Sequence, residues 1–316
     1  MRTYLARRLI QAVLVLWAAF TLSFAVLYLL PGDPVSVMAA GGGDTSAVAP
    51  EQLAALRKQY GLDRPVSEQY GSMVWNALHG DLGISVRSGD RVTHMIATNV
   101  PDTLRLASGA LLLALVLGAG TALLGTYTRR PWLRQTLLSL PALGVSTPTF
   151  LVGLLLVQLV SFRWGLLPAA GDEGLDSLVL PVITLALPTG AVIAQVFAKS
   201  LRTALDEPYM TTALAKGASR ARVHFRHAVR NAAIPPLTVV GMLVGNLLAG
   251  SVVVETVFSR TGVGRITATA VSAQDIPVVQ GLVVFGALVF VLANLAVDLV
   301  CPLLDPRVTK AVAVAR

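Results

Sequence analysis

The sequence predicts an all-α membrane protein of six transmembrane helices, with a helical extracytoplasmic cap between the first and the second. Three observations carry this. The 316-residue chain is 54% hydrophobic and only 13% charged, with a mean hydropathy of +0.70; soluble domains carry about 25% charged residues. It holds apolar runs longer than about 18 residues, the length a helix needs to cross a hydrocarbon core. Its basic residues gather at the ends of those runs, as they do beside cytoplasmic helix ends. The formal charge of +8 therefore reflects membrane topology and does not point to nucleic acid. One cysteine, Cys301, gives no disulfide framework. No internal repeat is evident, and low complexity is confined to Gly41–Gly43.

Residues 1–30 form the first helix. Arg2, Arg7 and Arg8 precede an uncharged run of 22 residues from Leu9 to Leu30, longer than the roughly 7–15 of a signal-peptide core. Ala39 and Ala40 weakly resemble a cleavage site, so a processed leader is the competing reading. Leu30-Pro31-Gly32-Asp33-Pro34 stops the helix, because proline lacks the N–H a helix needs. Residues 31–102 form the cap. They hold eight acidic and five basic residues, a balance expected outside the cytoplasm. Pro50–Tyr60, with Leu53, Leu56 and Tyr60 on one side, and Pro65–Leu78, with Val66, Tyr70, Met73 and Ala77 in register, read as helices. Gly80–Ser85 is a turn-rich break. Val92, Met95, Ile96 and Val100 predict a short interfacial helix ending before Pro101.

Residues 103–308 form a five-helix core. Its spans are expected at about Thr103–Tyr127, Gln135–Val160, Leu178–Phe197, Ala232–Val254 and Pro277–Val300; Gln135–Val160, the third span of the chain, is broken at Pro141 and Pro148. Arg163–Asp176 and Ser259–Asp275 lie outside; a cytoplasmic loop covers 200–233, and 309–316 is a cytoplasmic tail. The charges test this topology. Arg2, Arg7, Arg8, Arg129, Arg130, Arg134, Lys199, Arg202, Lys216, Arg220, Arg222, Arg226, Arg230, Arg307, Lys310 and Arg316 are 16 of the 25 basic residues. All fall inside, with both termini cytoplasmic.

The spans hold few ionisable groups. Glu255 and Asp298 sit near span ends, which counts against an ion-coupled carrier with a midplane site. Gly241, Gly245 and Ala249 recur every four residues and suit close helix packing. Asn246, Ser251 and Glu255 follow on the same helix, as a polar path or as interhelical hydrogen-bond partners. Catalysis finds no support. No lysine follows a glycine, so the phosphate-cradling G-x-x-x-x-G-K-[ST] loop is absent. His79, His94, His224 and His227 all fall outside the spans, and His224 with His227 lacks a third metal ligand. Gly262-Val263-Gly264 is a tight turn, too short for a dinucleotide fingerprint.

The one long polar segment of the second half is DEPYMTTALAKGASRARVHFRHAVRNAAIPP, 206–236. It reads as two helices joined at Gly217, a left-handed stop, with Pro208 in the first turn and Ser219 as the second cap. Arg222, Arg226 and Arg230 lie one turn apart on one face, beside an apolar stripe of Ala221, Phe225 and Val229. Charge spacing alone fits either a solvated basic loop against lipid headgroups or a docking element.

Seven stretches now combine: LLPGDPV (29–35), YGLDRPVSEQY (60–70), GDLGISV (80–86), AKGASRARVHFRHAVRNAAIPP (215–236), VVVETVFSRTGVGR (252–265), DIPVVQG (275–281) and LLDPR (303–307). On these the chain resembles the permease subunits of peptide/nickel-type ABC importers. The resemblance implies a type I ABC importer permease fold in a bacterial plasma (inner) membrane. It implies a non-catalytic translocation subunit for di- or oligopeptides, with nickel, a metallophore, haem or glutathione as alternative cargo. A stand-alone secondary carrier is the rival of a different class. The implied partners are a second homologous permease, two cytoplasmic ABC ATPase subunits that bind ATP and Mg, an extracytoplasmic solute-binding protein, and membrane lipid. This chain itself would hold no cofactor. The 206–236 segment resembles the family's coupling loop. It would place Glu207, Tyr209, Ala213, Ala215, Lys216 and Gly217, then Ser219, Arg222, Phe225, Arg226, His227, Arg230 and Asn231, against an ATPase. It departs from the general Glu-Ala-Ala…Gly…Ile-x-Leu-Pro pattern at both ends: Thr211-Thr212-Ala213 stands at the first triplet and His227-Ala228-Val229-Arg230 at the last four. Asp81, Gly262, Gly264, Arg265 and Asp275 are the expected outer gate or binding-protein contact.

Overall fold

The computed structural model describes residues 2–28, 50–59 and 63–304. The Leu-Pro-Gly-Asp-Pro stop, the small residues at 39–43, Tyr60 and the C-terminal tail lie outside them. The described chain is helical, with one isolated β-bridge between Ile84 and Arg91. Among the described residues, five helices are long and apolar enough to cross a membrane. A sixth span is formed if the pair Pro131–Ser146 and Thr149–Arg163, bent by 101°, counts as one. The chain divides into two compact units. One comprises residues up to Thr103 with Thr261–Val291; the other comprises Leu104–Arg260 with residues from Leu292 onward.

In the first unit, α1 (Arg2–Tyr28) turns Leu9, Ile10, Val13, Trp17 and Leu22 outward, as a lipid-facing helix does. α2 (Pro50–Gln59) is followed by α3 (Val66–Leu78). Tyr70 of α3 docks on α1. Its hydroxyl shares a 2.7 Å hydrogen bond with Thr21, and its ring meets Phe20 and Phe24 edge-on at 5.8 and 5.3 Å. The 81–91 loop is held by its own polar groups: Asp81 accepts from the Gly83 amide (3.0 Å), and the Ser85 hydroxyl accepts from the amides of Arg87 and Ser88. Val92 and Ile96, Val263 and Ala270 of α11 (Val263–Ser272), and Val278 and Leu282 form this unit's core.

The expected boundary at Pro101 does not occur. α4 runs unbroken from Val92 to Tyr127. Proline costs one hydrogen bond locally, and membrane helices absorb such losses through neighbouring polar groups. The helix keeps its course through that turn, where the Thr98 hydroxyl and Asn99 amide bond back to the carbonyls of His94 and Met95 at 3.0 and 2.9 Å; the carbonyl that Pro101 leaves without its helical donor is that of Ala97. Pro141 likewise stays inside α5 (Pro131–Ser146). The break expected in the third span falls only at Thr147-Pro148, after which α6 (Thr149–Leu156) continues into a π-helical stretch, Val157–Arg163.

The second unit is organised around α7 (Asp176–Leu205), whose most apolar window is 61% buried, against 17–33% for the other single-helix spans. α5, α6 and α10 (Ile234–Val257) all pack on it. α4 crosses it at glycine: a Cβ on Gly118 would lie 2.6 Å from the Gly190 carbonyl oxygen, and one on Gly190 would lie 3.1 Å from the Ala114 oxygen. On α10 a close contact falls at Gly250, whose Cβ would meet Leu185 at 2.8 Å. Leu106, Ala110, Ala114, Leu180, Leu185, Ile193, Leu247 and Phe258 make the core. Without a hydrophobic drive between helices in lipid, such small-residue approach supplies the packing. The last helix, α12, spans Ile276–Leu304.

Candidate functional site

The polar segment after α7 closes on the second unit's smaller core. α8 (Pro208–Ala215) begins with proline in its first turn. It stops at Gly217, which has φ +85°, while the amides of Gly217 and Ala218 turn back to the carbonyls of Leu214 (2.9 Å) and Ala213 (3.1 Å). A left-handed residue there favours glycine. The Ser219 hydroxyl accepts from the Arg222 amide at 3.3 Å and caps the next helix. That helix, α9, runs as Arg220–Arg222, then a π-helical stretch Val223–Ala228, then Val229–Ala232.

The buried face of α9 is not the expected one. Val223 and Ala228, five residues apart, pack with Ala232 against Ala122, Phe197, Ala198, Leu201, Ala204 and Met210. The expected stripe of Ala221, Phe225 and Val229 is not the buried one: Ala221 and Phe225 are exposed. The most deeply buried positions, His224, Ala228 and Ala232, recur every four residues, one position before the expected stripe's Phe225 and Val229.

His224 sits at the centre of this joint, 2% exposed. The Thr126 hydroxyl donates to the Ala122 carbonyl at 2.7 Å, so it accepts from the His224 Nε2–H at 3.0 Å. This assigns the tautomer and leaves Nδ1 as a bare lone pair without a partner. The ring meets Tyr127 and Phe225 edge-on at 5.2 and 4.8 Å. Arg220 donates to the Tyr127 carbonyl at 2.6 Å, and its guanidinium lies 5.1 Å from the Tyr127 ring centroid. Burial, and secondarily the Arg220 charge, push the His224 pKa below its ordinary value, so the ring is neutral.

The outward side of the segment carries Glu207, Tyr209, Ala215, Lys216, Gly217, Ser219, Arg222, Phe225, Arg226, Arg230 and Asn231, while Ala213 and His227 are half-buried. Asn231 donates to the Tyr209 hydroxyl, tying α8 to the end of α9. Tyr209, Leu214 and Phe225 are 41–48% exposed, so the face offers apolar anchors among cations. Aromatics and arginine are the residues that dominate protein interfaces. Residue spacing missed His224 and Arg220; for His224 the signal was present in its four-residue spacing with Ala228 and Ala232.

The three expected pathway residues do not share a face. On α10, Ser251 and Glu255 are buried and Asn246 is exposed. At about 100° per residue, Asn246 lies opposite Glu255. The Ser251 hydroxyl donates to the Leu248 carbonyl at 2.8 Å. Arg260, which residue spacing did not single out, is 4% exposed. It donates to the carbonyls of Gly171 (2.9 Å) and Ser177 (3.2 Å) and to the Ser177 hydroxyl (3.0 Å), with Asp172 at 3.5 Å. It ties the 171–177 loop to the end of α10.

Of the expected outer group, Gly262, Arg265 and Asp275 line one cavity of about 300 Å³ in the first unit; Asp81 is in the 81–91 loop, and Gly264 is buried beside it in sequence. Asp275, 4% exposed, accepts from the Ser85 hydroxyl at 2.5 Å and the Val86 amide at 3.3 Å. Among the described residues, no three His, Cys, Asp or Glu gather as a metal site.

The sequence of this chain matches known proteins along its length. The family described as "Binding-protein-dependent transport system inner membrane component" matches residues 111–310, and "Binding-prot-dependent transport system membrane comp, N-term" matches residues 1–107. The glutathione transport system permease protein GsiC of Escherichia coli K12 is 34% identical, over 98% of this chain and 99% of its own length. The dipeptide transport system permease protein DppB of the same organism is 35% identical, over 91% of this chain and 93% of its own. Among solved structures, an inward-facing conformation of the MetNI methionine ABC transporter superposes with a TM-score of 0.54 at 17% identity. It covers 67% of this chain and 96% of that one, a likeness of fold.

Proposed function

Because the chain belongs to the binding-protein-dependent transport system inner membrane components, we propose that it is the translocation subunit of an ATP-driven importer of short peptides. The observation that carries this is full-length similarity to permeases named for dipeptide and glutathione transport; both cargoes are small peptides. Glutathione is the second reading, favoured by the 98% and 99% coverage of the GsiC match. The chain contributes the pathway. Two ATPase subunits, binding ATP and Mg, drive it from the cytoplasm, a solute-binding protein delivers cargo outside, and a second permease completes the channel. Both termini face the cytoplasm in this reading.

The 206–236 segment is the coupling element. Its outward face meets an ATPase, and its inward face grips the ends of α4 and α7 through Val223, His224 and Ala228. Force on α9 is thereby delivered to two spans. The cavity of Gly262, Arg265 and Asp275 serves the outer gate or the binding-protein contact.

Reconstitution in proteoliposomes with the partner subunits tests the whole. Labelled dipeptide and glutathione should enter only with ATP inside the cytoplasm-equivalent compartment; uptake by this chain alone would overturn the reading. Gly217→Val tests the coupling. A side chain there meets nothing within 4 Å, so the cost is the left-handed backbone, roughly 1–2 kcal/mol. Expected are a lost ATPase or hydrolysis without uptake; normal assembly with normal transport refutes the assignment.

A further inference from the structure

We infer that the second unit binds the phosphate group of an anionic phospholipid between α4, α5 and α7. The site is a cavity of about 270 Å³. Leu137, Leu138 and Pro141 of α5 make an apolar wall. Gln195, Lys199 and Arg202 of α7, with Thr121 of α4, make a polar one. At about 100° per residue the three α7 positions fall within roughly 60° of one another.

These four side chains have no hydrogen-bond or ionic partner among the described residues. Asp206 lines the far end without an ion pair to either cation, and the Thr203 hydroxyl is spent on the Lys199 carbonyl at 3.2 Å. The cavity therefore carries two cations, one carboxylate and unspent neutral donors. An ammonium and a guanidinium fork converging on one space match the two free oxygens of a phosphodiester.

Depth and surroundings identify the source as lipid. Lys199 lies six residues before the end of α7, roughly 9 Å along the axis, near the boundary between headgroups and hydrocarbon. Beside the apolar wall, Leu140 and Leu143 of α5 are 54% and 65% exposed, a surface for acyl chains below a headgroup. Basic pockets between membrane helices hold acidic headgroups by this chemistry.

The test uses the intact transporter complex in nanodiscs of phosphatidylcholine with a minor fraction of phosphatidylglycerol, read by native mass spectrometry. At about 1 kcal/mol per cation near the headgroup surface, the Lys199→Gln/Arg202→Gln double variant should bind phosphatidylglycerol roughly 30-fold more weakly. Gln195→Glu, which adds a negative charge and removes no cation, should weaken it too. Arg134→Gln, outside the cavity, should leave it unchanged. Equal retention by wild type and both cavity variants overturns the site. Inorganic phosphate that displaces the lipid, and that stabilises wild type but not the double variant in lipid-free detergent, overturns the lipid source.

Discussion

Replacing Gly118 by alanine puts a methyl group into the crossing of α4 and α7. The new Cβ would lie 2.6 Å from the Gly190 carbonyl oxygen and 2.8 and 2.9 Å from the Ile193 side chain, where ordinary contact begins at 3.4 Å. The nearest obstacle is backbone, so no rotamer relieves it; the helices must part by about 0.8 Å. A gap of that size forfeits about a quarter to a half of each dispersion contact of about 0.1–0.2 kcal/mol, so about twenty contacts lose roughly 1 kcal/mol. With the accompanying strain, the expected cost is about 1–3 kcal/mol. Gly120→Ala is the matched control, because a Cβ there meets nothing within 4 Å. It should gain up to about 1 kcal/mol from helix propensity. Both variants are compared by thermal unfolding in one detergent, with ATP-driven uptake measured alongside. Gly118→Ala that unfolds at or above the wild-type temperature would refute the crossing.

Three further perturbations follow from the same geometry. His224 has a pKa depressed below 6.5, so the joint holds its full stability above about pH 6.5 and loses it as pH falls through that value and on through the lower folded one. Hydrogen exchange across 220–232, corrected for intrinsic rate, should quicken on acidification, and His224→Gln should flatten that dependence; an unchanged profile in the variant counts against it. Arg260→Met leaves the Gly171 and Ser177 carbonyls without their donor and should cost roughly 1–3 kcal/mol, with the 171–177 loop becoming protease-sensitive. Ser85→Ala removes a donor from the buried Asp275 carboxylate; it should cost roughly 1–3 kcal/mol and loosen the 84–91 loop, read by hydrogen exchange.

Prolines show where one-dimensional reading stops. Pro101 and Pro141 carry the same local penalty as Pro148, yet α4 and α5 continue through the first two and the chain bends only at the third. Burial of Pro141 within the helix is a fact of the neighbourhood, not of the residue. The 206–236 segment divides in the same way. Gly217 and Ser219 were legible because a left-handed stop and a cap are local chemistry. The grip of His224 was not, because it depends on Thr126, 98 residues earlier.

The amino-acid sequence by itself determined the apolar spans, their alternation with basic segments, the helix–turn–helix after α7 and the family. The spans, the basic segments and the helix–turn–helix follow from composition, periodicity and local backbone preference, which act over a few neighbouring residues; the family follows from resemblance along the whole chain. Only the tertiary structure decided which faces meet. It chose Val223, Ala228 and Ala232 over Ala221 and Phe225, set Asn246 apart from Ser251 and Glu255, and gathered Lys199 and Arg202 around an open cavity. The physical reason is that burial belongs to pairs of helices, and the rotation of one helix against another is set by side chains distant in sequence.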